Sequence, residues 1–155
     1  MTVEKKYMTW NQFDKDINSF IEHLNYAGIH IHQDNTIILG LKRGGLPGAV
    51  ALSNKLDLPI SLVSFQTRDS NDTEPNFLES HMITPETNII IIDDIYDTGL
   101  TVECIVSKLV DDFGVSIDNI IGLFHYYTDN IKNTKLGNIK CIRENQGFWC
   151  VFPWE

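Results

Sequence analysis

The chain has 155 residues, 43% of them hydrophobic, and a formal net charge of −9. That size and composition fit one globular domain, residues 1–155, with an adequate core, and the acidic balance argues against broad, charge-driven binding to nucleic acid. Residues 1–7 carry no apolar stretch of a secretory signal and no run approaches the length of a membrane span, so a cytoplasmic protein is expected; Cys104, Cys141 and Cys150 lack Cys-x-x-Cys spacing and read as reduced, mostly buried thiols.

Thr9 fits an N-cap, and Trp10, Phe13, Ile17, Phe20, Ile21 and Leu24 then form one apolar face of a helix that Gly28 ends. Thr36–Leu41 reads as a buried strand. It runs into Lys42-Arg43-Gly44-Gly45-Leu46-Pro47-Gly48, two cations and two glycines before a helix whose first turn suits Pro47. Ala49, Val50, Leu52, Ser53 and Leu56 continue that helix, and Pro59–Phe65 reads as a third strand. The polar segment at about 66–87 has few apolar residues, and a loop of that length in a compact domain reads as a functional lid. Ile89–Ile92 is a β-branched run suited to burial on both faces, and it stops at Asp93 and Asp94. Asp97, Thr98, Gly99, Leu100 and Thr101 follow; then Val102, Ile105, Val106, Leu109, Val110 and Phe113 recur at helical spacing before Gly114. Asn119–Phe124 is a further strand, with His125, Tyr126 and Tyr127 at its end, and Lys140–Ile142 a short edge-like one. The alternation of strands and helices predicts an α/β fold with an open, mainly parallel twisted sheet flanked by helices.

In such sheets ligands bind outside the carboxyl ends of the strands. The loop from Asp93 to Thr101 presents free amides, a helix N-terminus and two threonine hydroxyls, which suit a phosphate. The paired carboxylates would repel that phosphate; they suit sugar hydroxyls or a Mg²⁺ ion. A sugar phosphate uses both halves of the loop. The Lys42–Gly48 loop is a second candidate anion site, with the bidentate fork of Arg43 beside glycines that let the backbone come close. A Gly-x-Gly-x-x-Gly turn, which a dinucleotide-binding domain would want, is absent.

Ile89–Thr101 closely resembles the 5-phosphoribosyl-1-pyrophosphate (PRPP) signature of type I phosphoribosyltransferases: a hydrophobic strand, two acidic residues, two variable positions, then Asp-Thr-Gly-x-Thr. Arg43-Gly44-Gly45 with Pro47-Gly48 is similar to the pyrophosphate loop of the purine salvage members, and Trp149 to Trp154 resembles the ending of the xanthine-guanine and hypoxanthine enzymes. The resemblance implies the type I fold with a small C-terminal hood at about 125–155, and transfer of ribose 5-phosphate from PRPP to a 6-oxopurine. It implies that Asp93 and Asp94 hold the ribose diol, directly or through Mg²⁺, and that Asp97 is the general base. It further implies that Thr98, Gly99, Leu100 and Thr101 hold the 5-phosphate and that Lys42, Arg43 and Gly44 hold pyrophosphate, with a cis peptide between Lys42 and Arg43. Trp149 would stack on the base, the Cys150 backbone would meet its edge, and Tyr126 or His125 would donate to an oxo group; Trp154 is expected in the core or an interface. Homodimers or homotetramers are common in the family.

Two departures bear on these expectations. The expected lid is acidic, with Asp69, Asp72, Glu74 and Glu79 against Arg68 and His81. The oxopurine enzymes place a lysine just after the strand that ends near Phe124, and here the next lysine is Lys132. A phosphoribosyltransferase for another base, such as adenine or a pyrimidine, or a regulatory module that binds PRPP, are the competing readings.

Overall fold

The computed structural model describes residues 2–28, 31–67, 73–132 and 134–155. In chain order its elements are strand β1 (Lys5–Tyr7), helix α1 (Trp10–Tyr26), β2 (Thr36–Leu41), α2 (Leu46–Leu56), β3 (Ile60–Thr67), β4 (Thr73–Phe77), β5 (Asn88–Tyr96), α3 (Leu100–Asp111), β6 (Ile120–Tyr127), β7 (Ile139–Glu144) and β8 (Trp149–Val151). The main sheet has the order β4-β3-β2-β5-β6-β7. All its pairings are parallel except the antiparallel hairpin of β3 and β4.

The isoleucine run explains the layering. Ile89 and Ile91 point to the face covered by α3, where they meet Val102, Ile105 and Leu109. Ile90 and Ile92 point to the face covered by α1 and α2, where they meet Ile17, Phe20 and Leu52. Successive strand residues alternate between faces, so a strand clothed on both sides must be apolar at every position. Burying each of these side chains is worth about 1.5–3 kcal/mol. The two layers thereby fix the carboxyl end of β5 at the rim of the sheet.

The start of α1 follows its sequence closely. Thr9 Oγ1 accepts a bond from the Gln12 amide at 3.1 Å, and the Gln12 side chain accepts one from the Thr9 amide at 2.9 Å, a reciprocal capping box. Trp10 differs from expectation: it is 58% exposed and packs only along one side, against Phe13 and Trp154. Cys104 is also exposed rather than buried, since its position on α3 faces away from the sheet.

Three other features depart from the sequence reading. The segment expected to be a lid contains β4, in which Pro75 and Phe77 turn inward and Glu74 and Asn76 outward, and a short 3-10 turn at Ser80–Met82. An edge strand tolerates Pro75 because one of its sides has no partner strand to receive a bond. Arg68, Asp69 and Asp72 lie outside the described residues. Strand β5 continues past Ile92 to Tyr96, so both carboxylates belong to its last turn of pleat. Finally, β1 pairs in parallel with β8, with Lys5 opposite Trp149, as a separate two-stranded sheet. No described helix is long and apolar enough to cross a membrane.

Candidate active site

Two loops meet at the end of β5. Asp93 and Asp94 are half-buried neighbours. Asp93 Oδ1 accepts a bond from the Asp94 amide at 2.9 Å, and Asp94 Oδ1 accepts one from the Ile95 amide at 2.7 Å. Burial, followed by the adjacent Asp94 charge, pushes the Asp93 carboxyl well above the ordinary carboxylate range. Against this pair lies the loop that follows β2. A Cβ on Gly44 would fall 2.1 Å from Asp94 Oδ2, and one on Gly45 would fall 2.2 Å from the Ile92 carbonyl oxygen. Only glycines let the two loops approach so closely. The peptide between Lys42 and Arg43 is cis, as expected. The Lys42 amide is tied to the Val63 carbonyl at 2.8 Å, which anchors the loop to β3.

Downstream, Gly99 adopts φ 85° as the N-cap of α3, and the Tyr96 ring lies directly beneath it, with the hydroxyl 2.9 Å from where a Cβ would stand. The left-handed turn leaves the first amides of α3 facing outward, the arrangement that suits an anion. Thr98 Oγ1 accepts from the Leu100 amide at 3.3 Å and helps hold the turn. Asp97 is exposed on this loop. Thr128 Oγ1 donates to its Oδ1 at 2.7 Å and Asn130 Nδ2 donates to the same oxygen at 3.1 Å. These two bonds, Thr128 first, hold the Asp97 carboxyl below its ordinary range and therefore ionised.

Three cavities surround these groups. One of about 330 Å³ is bounded by Lys42, Asp93, Leu100 and Thr101. A second of about 560 Å³ lies between Lys42, Arg43, Gly44, Asp94 and Glu155. A third of about 460 Å³ lies between Asp94, Asp97, Thr128, Trp149, Cys150 and Phe152. Lys42 borders the first two and Asp94 the last two, so the spaces wrap around one acidic centre. Trp149 is 59% exposed and borders the third cavity, while Cys150 is buried behind it. Strand β8, which carries both, is steadied by β1: the Trp149 amide donates to the Glu4 carbonyl at 2.7 Å. Trp154 stacks on Phe152 at 4.8 Å between centroids and also contacts Phe13, in keeping with a packing role.

Two residues expected at the base are elsewhere. His125 is 1% exposed, enclosed by Phe13, Phe20 and Phe152. Its Nδ1 lies 2.7 Å from Asp16 Oδ2 on α1. Asp16 also receives both ends of the Arg143 guanidinium, at 2.7 Å from one nitrogen. Burial alone would raise the Asp16 carboxyl; the bonds from His125 and Arg143 outweigh it and hold it below its ordinary range. Tyr126 is 7% exposed, lies under the Arg143 guanidinium at 5.1 Å, and does not border the cavity. Both side chains are drawn inward because β6 has structure on either face, and a buried polar group needs its partners close by. Conversely, Thr128, Asn130, Asn145 and Glu155 belong to the site and carry no motif; the polar run after β6 and the acidic last residue are their only trace in the sequence.

Residues 5–154 match the phosphoribosyl transferase domain, and the chain belongs to that family. Its class is that of a phosphoribosyltransferase enzyme. The xanthine-guanine phosphoribosyltransferase of Cereibacter sphaeroides is 24% identical over 159 residues, 96% of this chain and 86% of that one. The orotate phosphoribosyltransferase of Malacoplasma penetrans is 28% identical over 101 residues, 65% of this chain, which spans only 46% of that relative's length. Among solved structures, the purine phosphoribosyltransferase from Pyrococcus horikoshii superposes with a TM-score of 0.74 at 27% identity, covering 98% of this chain and 94% of that one.

Proposed function

We propose that the chain transfers ribose 5-phosphate from PRPP to a 6-oxopurine, releasing pyrophosphate. The observation that carries this reading is the shared position of Asp94, which stands between a cation-lined cavity with Lys42 and Arg43 and an aromatic-walled one with Trp149. The first suits pyrophosphate and the second a planar base, with the sugar spanning Asp93 and Asp94 and its 5-phosphate on the amides of residues 98–101.

The chemistry follows from charge. As the bond from the sugar carbon to pyrophosphate breaks, the ribose gains oxocarbenium character and the leaving group gains negative charge. Lys42, Arg43 and the amides of the Gly44 turn stabilise that charge as it develops. The bond from the sugar carbon to the base nitrogen forms on the opposite side, and the base must lose a proton. Asp97, kept ionised by Thr128 and Asn130, takes it from N7. The side chains fit a Mg²⁺ ion delivered with the substrate. Among the described residues there is no cluster of three or more acidic, histidine or cysteine ligands, whereas Mg²⁺ characteristically takes one or two carboxylates and fills its shell with phosphate oxygens and water. Asp93 and Asp94 would hold it, and a bound cation would relieve the crowding of their charges. When present, the ion neutralises charge on the phosphate oxygens.

Pyrophosphate release measured with PRPP, Mg²⁺ and a panel of bases tests the proposal. Hypoxanthine, guanine or xanthine should support turnover; PRPP that is neither bound nor consumed would refute it. A second reading, transfer to a different base, is favoured by one observation: among the described residues no lysine borders the base cavity. The same panel, extended to adenine and orotate, separates the two.

A further inference from the structure

The base cavity contains a hydrogen-bond donor whose direction is set by the fold. Asn145 follows β7 at the carboxyl edge of the sheet, with its amide donating to the Tyr127 carbonyl at 2.8 Å. It is thus beside Thr128, the residue that holds Asp97. Its side-chain Oδ1 accepts bonds from the Gly147 amide at 3.1 Å and the Phe148 amide at 3.2 Å. Two N–H donors can be met only by the oxygen of a carboxamide, so the amide cannot flip without losing both bonds. Gly147, at φ 87°, completes the turn that leads into Trp149. The Nδ2 group has no hydrogen-bond partner among the described residues, and Asn145 borders the cavity.

Resting on the function proposed above, we infer that Asn145 reads the exocyclic oxygen of the base, with Nδ2 donating to a carbonyl next to the nitrogen that Asp97 deprotonates. N7 and the 6-oxo oxygen are neighbours on one edge of a purine. A base placed with N7 at Asp97 therefore turns its oxygen toward the elements that flank Thr128. A fixed carboxamide donor favours a carbonyl there and opposes an exocyclic amine, which would bring hydrogen against hydrogen. Asn145 thus supplies, without charge, the donor that a lysine would otherwise provide.

Asn145→Asp separates this role from the structural one. The aspartate still offers an oxygen to the Gly147 and Phe148 amides, so the turn persists, but an acceptor replaces the donor. Steady-state rates are measured for hypoxanthine, adenine and unsubstituted purine with the wild-type protein and the variant. In the wild type, purine should have a kcat/KM at least about tenfold below hypoxanthine, because the donor is left unpaired. In Asn145→Asp that difference should vanish, hypoxanthine should lose at least about tenfold, and the hypoxanthine-to-adenine ratio should fall, with KM for PRPP unchanged. A variant whose ratio stays within about twofold of wild type overturns the assignment. So does an equal loss on all three bases. If the variant does not fold, equal use of purine and hypoxanthine by the wild type overturns it. Wild-type protein that turns over none of the bases defeats the proposed function itself, and this inference with it.

Discussion

An Asp93→Asn substitution exchanges a half-buried carboxylate for a neutral side chain of the same shape. The oxygen that accepts the Asp94 amide is retained, so no bond is lost. Burial and the Asp94 charge raise the Asp93 carboxyl in the folded protein, which means that the folded state holds a proton there more tightly than the unfolded chain. The unfavourable charge therefore weighs on the fold at higher pH and is relieved as pH falls through the raised value. Removing it should stabilise the ligand-free protein by about 0.5–2 kcal/mol, the size usual for easing a strained functional site. For a chain of this length that is a Tm rise of roughly 2–6 °C. Thermal melts of wild type and variant between about pH 5 and pH 8 should show the largest gain at the alkaline end and a shrinking one toward acid. Calorimetry should show that the same variant has lost most of its PRPP uptake in the presence of Mg²⁺. A Tm at pH 8 that is unchanged or lower, or a gain that stays constant with pH, would refute the reasoning.

Asp97→Asn should lower kcat by about 10²–10⁴ with little effect on KM for PRPP, since the asparagine oxygen can still accept from Thr128 and Asn130; pyrophosphate release is the assay. Gly44→Ala puts a methyl 2.1 Å from Asp94 Oδ2, so either the Asp94 carboxylate or the glycine loop must move; expected are a loss of about 1–3 kcal/mol in stability by denaturant titration and a raised KM for PRPP. Trp149→Ala should weaken base affinity on the order of 10- to 100-fold with no comparable fall in Tm, because stacking is lost from a ring that is already 59% exposed. Arg143→Met leaves the buried Asp16 carboxylate with His125 as its remaining side-chain partner among the described residues and should cost about 1–3 kcal/mol by chemical denaturation, more than an exposed ion pair would.

What could be read from the residues alone was what is local. The isoleucine run, the Asp93–Thr101 loop, the N-cap at Thr9 and the glycine loop each express their geometry within a dozen residues, through periodicity, caps and turns. Pairings between distant segments left little mark. β1 and β8 have three residues each and meet only because the fold brings Lys5 to Trp149. β4 hid in a polar run, although its Pro75 and Phe77 alternate as an edge strand should. At the base cavity, type and position in sequence suggested His125 and Tyr126 as donors. The tertiary structure turned them toward Asp16 and Arg143 instead, and the Asn145 donor emerged only from the two amides that fix its oxygen. Asp16 and His125 lie 109 residues apart, and no window along the chain contains both.

The β1–β8 ladder also has a mechanical corollary. Its strands run side by side in the same direction, so traction applied to the two ends of the polypeptide loads the ladder in shear, with its bonds stretched together and not unzipped one at a time. Trp149 stands at one end of that linkage, opposite Lys5. A tether, a surface attachment or a fused neighbour that tugs on either terminus reaches the aromatic wall of the cavity through a handful of peptide bonds.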